Sequence, residues 1–119
     1  MVDLAGTWRF TAVLGADVSA GLRSAPFLTF DGDGQVYGDA GVNRVRGTWE
    51  LHGTRLVFGP MVSTMMAGPP EAMTCEQRIL RLLGDPVELV TPDGDTIELD
   101  GSGGAATLVR DATAGQNPV

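Results

Sequence analysis

The run Trp49-Glu50-Leu51-His52-Gly53-Thr54-Arg55-Leu56-Val57-Phe58 constrains the fold more than any other stretch of the chain. Apolar and polar residues alternate on both sides of a His-Gly turn, the pattern of two antiparallel strands with one buried face. A two-residue loop at His52-Gly53 predicts Leu51 opposite Thr54, Glu50 opposite Arg55, Trp49 opposite Leu56, Thr48 opposite Val57 and Gly47 opposite Phe58. In that register Trp49 and Leu56 share the apolar face, Glu50 and Arg55 form an opposite-charge pair, and the Phe58 ring covers Gly47. Gly53 supplies positive φ freely and His52 tolerates it, so the lone histidine is accounted for as a turn residue.

The flanking segments repeat this logic. Leu4, Gly6, Trp8, Phe10 and Ala12 alternate with Ala5, Thr7, Arg9 and Thr11, which predicts a half-buried strand over 4–12. Residues 15–26 read as a loop. Phe27 to Asp31 and Gln35 to Tyr37 flank Asp31-Gly-Asp-Gly34, and a three-residue loop there sets Phe30 opposite Val36 and Leu28 opposite Gly38. Gly59 to Pro70 reads as a crossover rather than a strand.

A helix is predicted next, with Glu71 near its start and Arg78 and Arg81 toward its end, as the helix dipole favours. Its apolar stripe is Ala72, Cys75, Ile79, Leu82 and Leu83, with Met73 and Leu80 alongside, and Gly84-Asp85-Pro86 ends it. Such a helix is expected to lie across a sheet or to plug the open end of a barrel. Strands over Val87 to Thr91 and Thr96 to Asp100 follow, with Leu89 opposite Leu99 and Thr91 opposite Ile97, and then a short strand over Ala106 to Arg110.

With 17 glycines and 7 prolines in 119 residues, the chain must turn often. The prediction is a mainly β fold, α+β by count: a small antiparallel barrel-like sheet of about seven or eight strands with one helix after the central hairpin. Residues 1–110 are expected to form a single domain and residues 111–119 a flexible tail. Trp8 and Trp49 are both expected to be buried in one core.

The net charge is −7 and every basic residue is an arginine. An acidic chain without a basic stripe argues against nucleic acid and anionic membrane surfaces as partners. Cys75 is the single cysteine, so an intramolecular disulfide is excluded and a reducing compartment is expected. The N-terminus has neither a signal-peptide pattern nor a lipoprotein cleavage site, and no stretch has bilayer length. The expectation is a soluble cytoplasmic protein without membrane insertion, a monomer or weak homodimer.

The motifs with chemical potential yield no catalytic, cofactor or metal site. Asp31, Asp33, Gln35 and Asp39 have the spacing of a calcium loop. However, Val36 stands where that loop needs glycine and Val42 where it needs a bidentate glutamate, so no divalent cation is expected. Cys75 lacks a base and reads as a small core residue. Ser63 and Thr64 have no nucleophile-elbow glycines. Met61, Met65, Met66 and Met73 read as filling the end of the core rather than lining a groove.

Gly-Thr-Trp occurs at 6–8 and again at 47–49, and the first copy resembles the Gly-x-Trp start of lipocalin-like barrels, the pair that of avidin-like barrels. A resemblance specific in order and spacing covers roughly residues 4–100. It rests on Leu4-Ala-Gly-Thr-Trp8, Leu28-Thr-Phe-Asp-Gly-Asp-Gly34, Gly38-Asp-Ala-Gly-Val-Asn-Arg-Val-Arg-Gly47, Leu56-Val-Phe-Gly-Pro60, Ser63-Thr-Met-Met-Ala-Gly-Pro69 and Met73-Thr-Cys-Glu76. Together these resemble the META domain (HslJ-like, heat-shock-associated) family of bacterial proteins.

The resemblance implies a compact β-rich, barrel-like fold with one helix, and relatives often found in the envelope and tied to stress or antibiotic tolerance. It carries over no catalytic residues. The family commonly places cysteines at two positions that are Val42 and Gly68 here. It therefore implies that these residues are neighbours, with Cα atoms within about 7 Å. The expected function is a non-enzymatic, stress-related META-like domain that binds a small apolar ligand or a protein partner. Gly41, Asn43, Gly47 and Thr64 then shape the fold. The alternatives are a lipocalin-like or avidin-like ligand-binding barrel, a small carboxylate-dependent enzyme, and a purely structural module.

Overall fold

The computed structural model describes residues 4–13, 16–17, 26–101 and 104–110. The elements are β1 (Gly6–Val13), β2 (Ala16–Asp17), β3 (Phe27–Phe30), β4 (Gln35–Asp39), β5 (Arg44–His52), β6 (Arg55–Phe58), β7 (Val62–Ser63), α1 (Pro70–Leu83), β8 (Val87–Asp93), β9 (Thr96–Gly101) and β10 (Gly104–Arg110). The sheet order is β10-β9-β8-β6-β5-β4-β3-β1, and β1 pairs back onto β10. The result is a closed antiparallel β-barrel of eight strands with one helix. Closure leaves the main strands without a free edge. β2 adds to β1, and β7 pairs with β5. The expected tail, 111–119, and most of the expected loop over 15–26 lie outside the described residues.

Apolar matching fixes most of the register. Phe30 faces Val36 and Leu28 faces Gly38, as the three-residue loop predicts. Asp31 holds that turn, its Oδ1 accepting hydrogen bonds from the amides of Asp33 and Gln35, both at 2.9 Å.

The central hairpin differs from expectation by two residues in register. Its loop is Gly53-Thr54, so His52 faces Arg55, Leu51 faces Leu56, Glu50 faces Val57 and Trp49 faces Phe58. Gly53, at φ 66°, takes the first loop position, the one that needs positive φ. His52 thereby joins the strand. The apolar face is unchanged because the shift is even, but large side chains now meet in pairs. Glu50 bonds to His52 (3.2 Å, both exposed) instead of facing Arg55. Gly47 is covered by Pro60 and Met61 rather than by Phe58.

β6 and β7 are one strand interrupted by a bulge. Opposite β5, Trp49 faces Phe58 while Arg46 faces Val62, so Gly59, Pro60 and Met61 oppose only Gly47 and Thr48. The Gly59 amide still donates to the Thr48 carbonyl at 3.0 Å. A proline is tolerated here because a bulge frees it from donating to the ladder. The start of the expected crossover therefore continues the barrel wall.

Two further irregularities change the predicted pattern. The β1–β10 register shifts between Phe10 and Ala12, so the buried phase passes from Trp8 and Phe10 to Val13, and Ala12 is left only half-buried. In β8–β9, Leu89 faces Leu99 as expected, but the register shifts between Val90 and Asp93, and Thr91 is not paired with Ile97.

The barrel interior is filled by side chains. Trp8, Phe10, Leu28, Phe30, Leu56, Ile97, Leu99 and Leu108 are fully buried in one cluster that also takes Ile79 and Leu83 of α1. Trp49 is only half-buried, contrary to expectation, and packs against this cluster. It lies edge-on to Phe30, with ring centroids 5.4 Å apart, and its Nε1 donates to the carbonyls of Gln35 (3.1 Å) and Asp31 (3.3 Å). At the same end, the Arg110 guanidinium covers the Trp8 ring at 4.2 Å from its centroid, a cation–π contact.

The helix closes the opposite end. Pro70 opens it, Glu71 sits in the first turn and Arg81 in the last. Gly41 in the β4–β5 turn packs on Ala72 and Glu76, and Gly101 at the end of β9 packs on Leu82. α1 thus spans the barrel mouth from one turn to the other, as the plug expected from its stripe. That stripe is Ala72, Glu76, Ile79, Leu82 and Leu83, with Cys75 half-buried at its side. No helix among the described residues is long and apolar enough to cross a membrane.

Candidate functional site

The one buried polar cluster among the described residues lies where α1 meets the β4–β5 turn. Its members are Asn43 and Glu76, each 5% exposed. Glu76 Oε1 accepts from the amides of Val42 (3.0 Å) and Asn43 (2.5 Å), and its Oε2 accepts from Asn43 Nδ2 (2.7 Å). The other Nδ2 hydrogen goes to the Met66 carbonyl at 3.0 Å. Asn43 Oδ1 accepts from Thr64 Oγ1 (2.8 Å) and the Met66 amide (2.6 Å). Asn43 therefore uses its full side-chain hydrogen-bonding capacity on protein groups, and Glu76 takes three donors.

Local geometry explains why these residue types occupy these places. Gly41 at φ 127° turns the chain against α1, where a Cβ would come within 3.0 Å of the Ala72 carbonyl oxygen. Asp39 Oδ1 accepts from the Gly41 amide at 2.7 Å and tightens the turn. The amides of Val42 and Asn43 then point at α1, and a carboxylate one helical turn beyond Ala72 meets both. Thr64 closes the other side: its amide donates to the Arg44 carbonyl (3.1 Å) and its Oγ1 accepts from the Arg44 amide (3.1 Å).

The cluster is therefore a brace joining three segments that are far apart in sequence, 39–44, 64–66 and 76. Gly41, Asn43 and Thr64 hold backbone in place here, while Gly47 lies outside the brace and gives Pro60 and Met61 room to approach β5. Val42 and Gly68 are neighbours, since a Cβ at Gly68 would stand 3.5 Å from that of Val42. Glu76 is the participant that sequence reasoning missed. The available signal was its position, four residues after Ala72 and three before Ile79 on the buried stripe.

The brace fixes residues 64–66 and β5 pairs with Val62, and the large apolar side chains of this stretch face water. Met65 is 93% exposed, Val62 71% and Met66 55%. The expectation that the methionines fill the core holds for Met61, which packs against it, while Met73 is half-buried on α1 outside the core cluster, and it fails for exposed Met65 and Met66. The reason is that Met66 is held through its backbone amide and carbonyl by Asn43, which leaves its side chain outside.

The remaining candidate groups are placed apart from this cluster or at its edge. His52 and Glu50 are exposed at the far end of the barrel. Ser63 is half-buried in β7. Cys75 is half-buried, and desolvation pushes its thiol above the ordinary value; nearby Arg78 opposes this and Glu76 adds to it.

The sequence profile of the META domain matches residues 2–113. Among solved structures, an NMR structure of a protein is similar with a TM-score of 0.76 and 18% identity, over 92% of this chain and 96% of that one. An NMR structure of a protein from Burkholderia xenovorans is similar with a TM-score of 0.73 and 25% identity, over 91% of this chain and 83% of that one. Comparison with curated protein sequences finds no match. The brace is built from the same segments that carried the resemblance, 38–47, 63–69 and 73–76, and with the profile match across nearly the whole chain it places the protein in the META domain family.

Proposed function

We propose that this META domain is a non-enzymatic binding module that engages a protein partner through the face carrying Val62, Met65 and Met66. The observation that supports this is the combination of fixed backbone and exposed apolar side chains. At least six hydrogen bonds tie down residues 64–66 and the turn beside them, yet Met65 stays 93% exposed. Three large apolar side chains held in water within residues 62–66 are costly unless something covers them, and a pre-ordered backbone lowers the entropic cost of docking.

Of the two ligand classes expected, a small apolar molecule fits less well, because the interior where a lipocalin-like or avidin-like barrel holds its ligand is occupied by aromatic and aliphatic side chains. The carboxylate-enzyme alternative is disfavoured too, since the buried acid, Glu76, already accepts three N–H groups. A link to stress and a cytoplasmic setting are parts of this proposal that follow from the family resemblance and the single cysteine.

Photo-crosslinking in cells tests the reading. A benzophenone side chain at Met65 should give discrete adducts with another polypeptide, and the same group at Glu98, on the β9 wall, should not. Absence of adducts at Met65, or identical adducts at both positions, contradicts it.

A further inference from the structure

We infer that the partner of this face is an acidic polypeptide segment with apolar side chains; the inference rests on the partner-binding reading above. The argument comes from what lies beside Val62. Tyr37 faces Arg46 across β4–β5, and Arg46 faces Val62 across β5–β7, so the three stand in one cross-strand row on the outer surface, about 10 Å from end to end. All three are exposed, Tyr37 by 42%. Arg44, two residues from Arg46 on the same face, is exposed as well and is fixed through its backbone by Thr64.

These two guanidinium groups have no carboxylate within ion-pair distance among the described residues. Arg46 makes one long contact to Gln35 Oε1 at 3.4 Å. Asp39 faces Arg44 across the ladder and partly balances its charge from outside ion-pair distance, whereas Arg46 stands between Tyr37 and Val62 with no carboxylate opposite it. Two of the eight arginines, without a carboxylate partner among the described residues as Arg55, Arg78 and Arg81 also are, stand opposite exposed Val62 or two residues along from it. Tyrosine and arginine beside apolar residues are the types that dominate binding energy at protein interfaces. A carboxylate on the partner would take the guanidinium in a bidentate pair while its apolar neighbours cover Val62 and Met65.

An anionic bilayer offers similar chemistry, but it would meet the field of the whole acidic molecule. A short segment covers only the row around Val62 and the two arginines, whereas a bilayer face is broad enough to reach acidic side chains beyond it. A second copy seated symmetrically on this face would bring its own Arg44 and Arg46 against these, so like guanidinium groups would meet.

The test is selection of a random displayed peptide library against the intact protein, followed by affinity measurement with Val62→Asp, Met65→Asp and Arg46→Glu variants. All three positions are exposed, and unchanged melting temperatures confirm that the variants fold. The expected peptides combine aspartate or glutamate with apolar residues, weaken with salt, and lose about tenfold or more in affinity for each variant. Peptides that depend on Val62 and Met65 but carry no carboxylate and ignore Arg46→Glu overturn the acidic inference and leave the binding face standing. Failure of any peptide to enrich, or peptides indifferent to all three variants, overturns both. Two other occupants are distinguished directly, and either result overturns the inference. One is a concentration-dependent dimer abolished by Val62→Asp, and the other is co-sedimentation with phosphatidylglycerol vesicles abolished by Arg46→Glu.

Discussion

Gly68 packs directly on the side chain of Val42: a Cβ added at Gly68 would meet Val42 Cγ2 at 2.8 Å, Cγ1 at 3.0 Å and Cβ at 3.5 Å. The last distance lies at the near edge of the range that a disulfide spans. Gly68 is not among the positive-φ glycines, so its backbone accepts a side chain once Val42 makes room.

The first prediction follows from that contact. Val42→Cys with Gly68→Cys, in a Cys75→Ser background, should oxidise to a monomeric disulfide. The bridge should raise stability over the reduced form by about 3 to 4 kcal/mol, less any native strain. Thiol titration and thermal melting with and without reductant check this. A pair that stays reduced under mild oxidant, or links only between molecules, contradicts the adjacency.

The same contact predicts coupling without sulfur. Gly68→Ala alone should destabilise by about 1 to 3 kcal/mol, because the new methyl group overlaps the Val42 side chain. Adding Val42→Ala should recover much of that loss. Urea denaturation of the two single variants and the double variant measures the coupling, and strict additivity would contradict it.

The two tryptophans should differ. Trp8 is fully buried beneath Arg110, so Trp8→Ala should cost about 3 to 5 kcal/mol. Half-buried Trp49 loses less surface and leaves less of a cavity, so Trp49→Ala should cost only about 1 to 3 kcal/mol. Equal losses in urea denaturation would mean that the barrel end around Trp49 is closed more tightly than described.

The sequence made the barrel legible where strand pairing is decided by matching large apolar residues. Phe30 with Val36 and Leu89 with Leu99 are such cases. It was illegible where a single extra residue is absorbed by a bulge: between Phe10 and Ala12 no distinctive residue type marks the change of phase, and Gly59-Pro60 reads equally well as the start of a crossover. The His52-Gly53 turn was misplaced because both positions tolerate positive φ, and only the pairing of Trp49 with Phe58 favours Gly53 as the first loop residue. Glu76 escaped notice because a charged helix residue reads as solvent-facing by default, and its donors, Val42 and Asn43, lie 34 and 33 residues away. The adjacency of Val42 and Gly68 was legible only through the family resemblance.

Cys75 supplies a pH-dependent test. Burial raises its thiol pKa, so the folded state holds the proton at pH values where the unfolded chain has begun to release it. Above the unfolded thiol pKa of about 8.5 the unfolded state binds fewer protons, and stability falls with rising pH until the folded thiol also titrates. Wild type should therefore lose stability more steeply than Cys75→Ser above that pH. Alkylation by iodoacetamide at neutral pH should also be slower in the folded protein than in urea. Parallel stability profiles would show that the thiol is not desolvated.

A brace that fixes residues 64–66 is tested most directly by a double-mutant cycle on Asn43 and Glu76. Glu76→Ala removes the acceptor of the part-buried Val42 amide and the buried Asn43 amide, and Asn43→Ala removes the partners of the part-buried Met66 amide and carbonyl and of the Thr64 hydroxyl. Each single variant should lose about 2 to 4 kcal/mol in urea denaturation. The double variant should lose less than the sum by about 1 to 2 kcal/mol, because both changes break one connected network. Losses that add to within about 0.5 kcal/mol would mean that the two side chains act independently, and that Met65 and Met66 are held outward by something other than this brace.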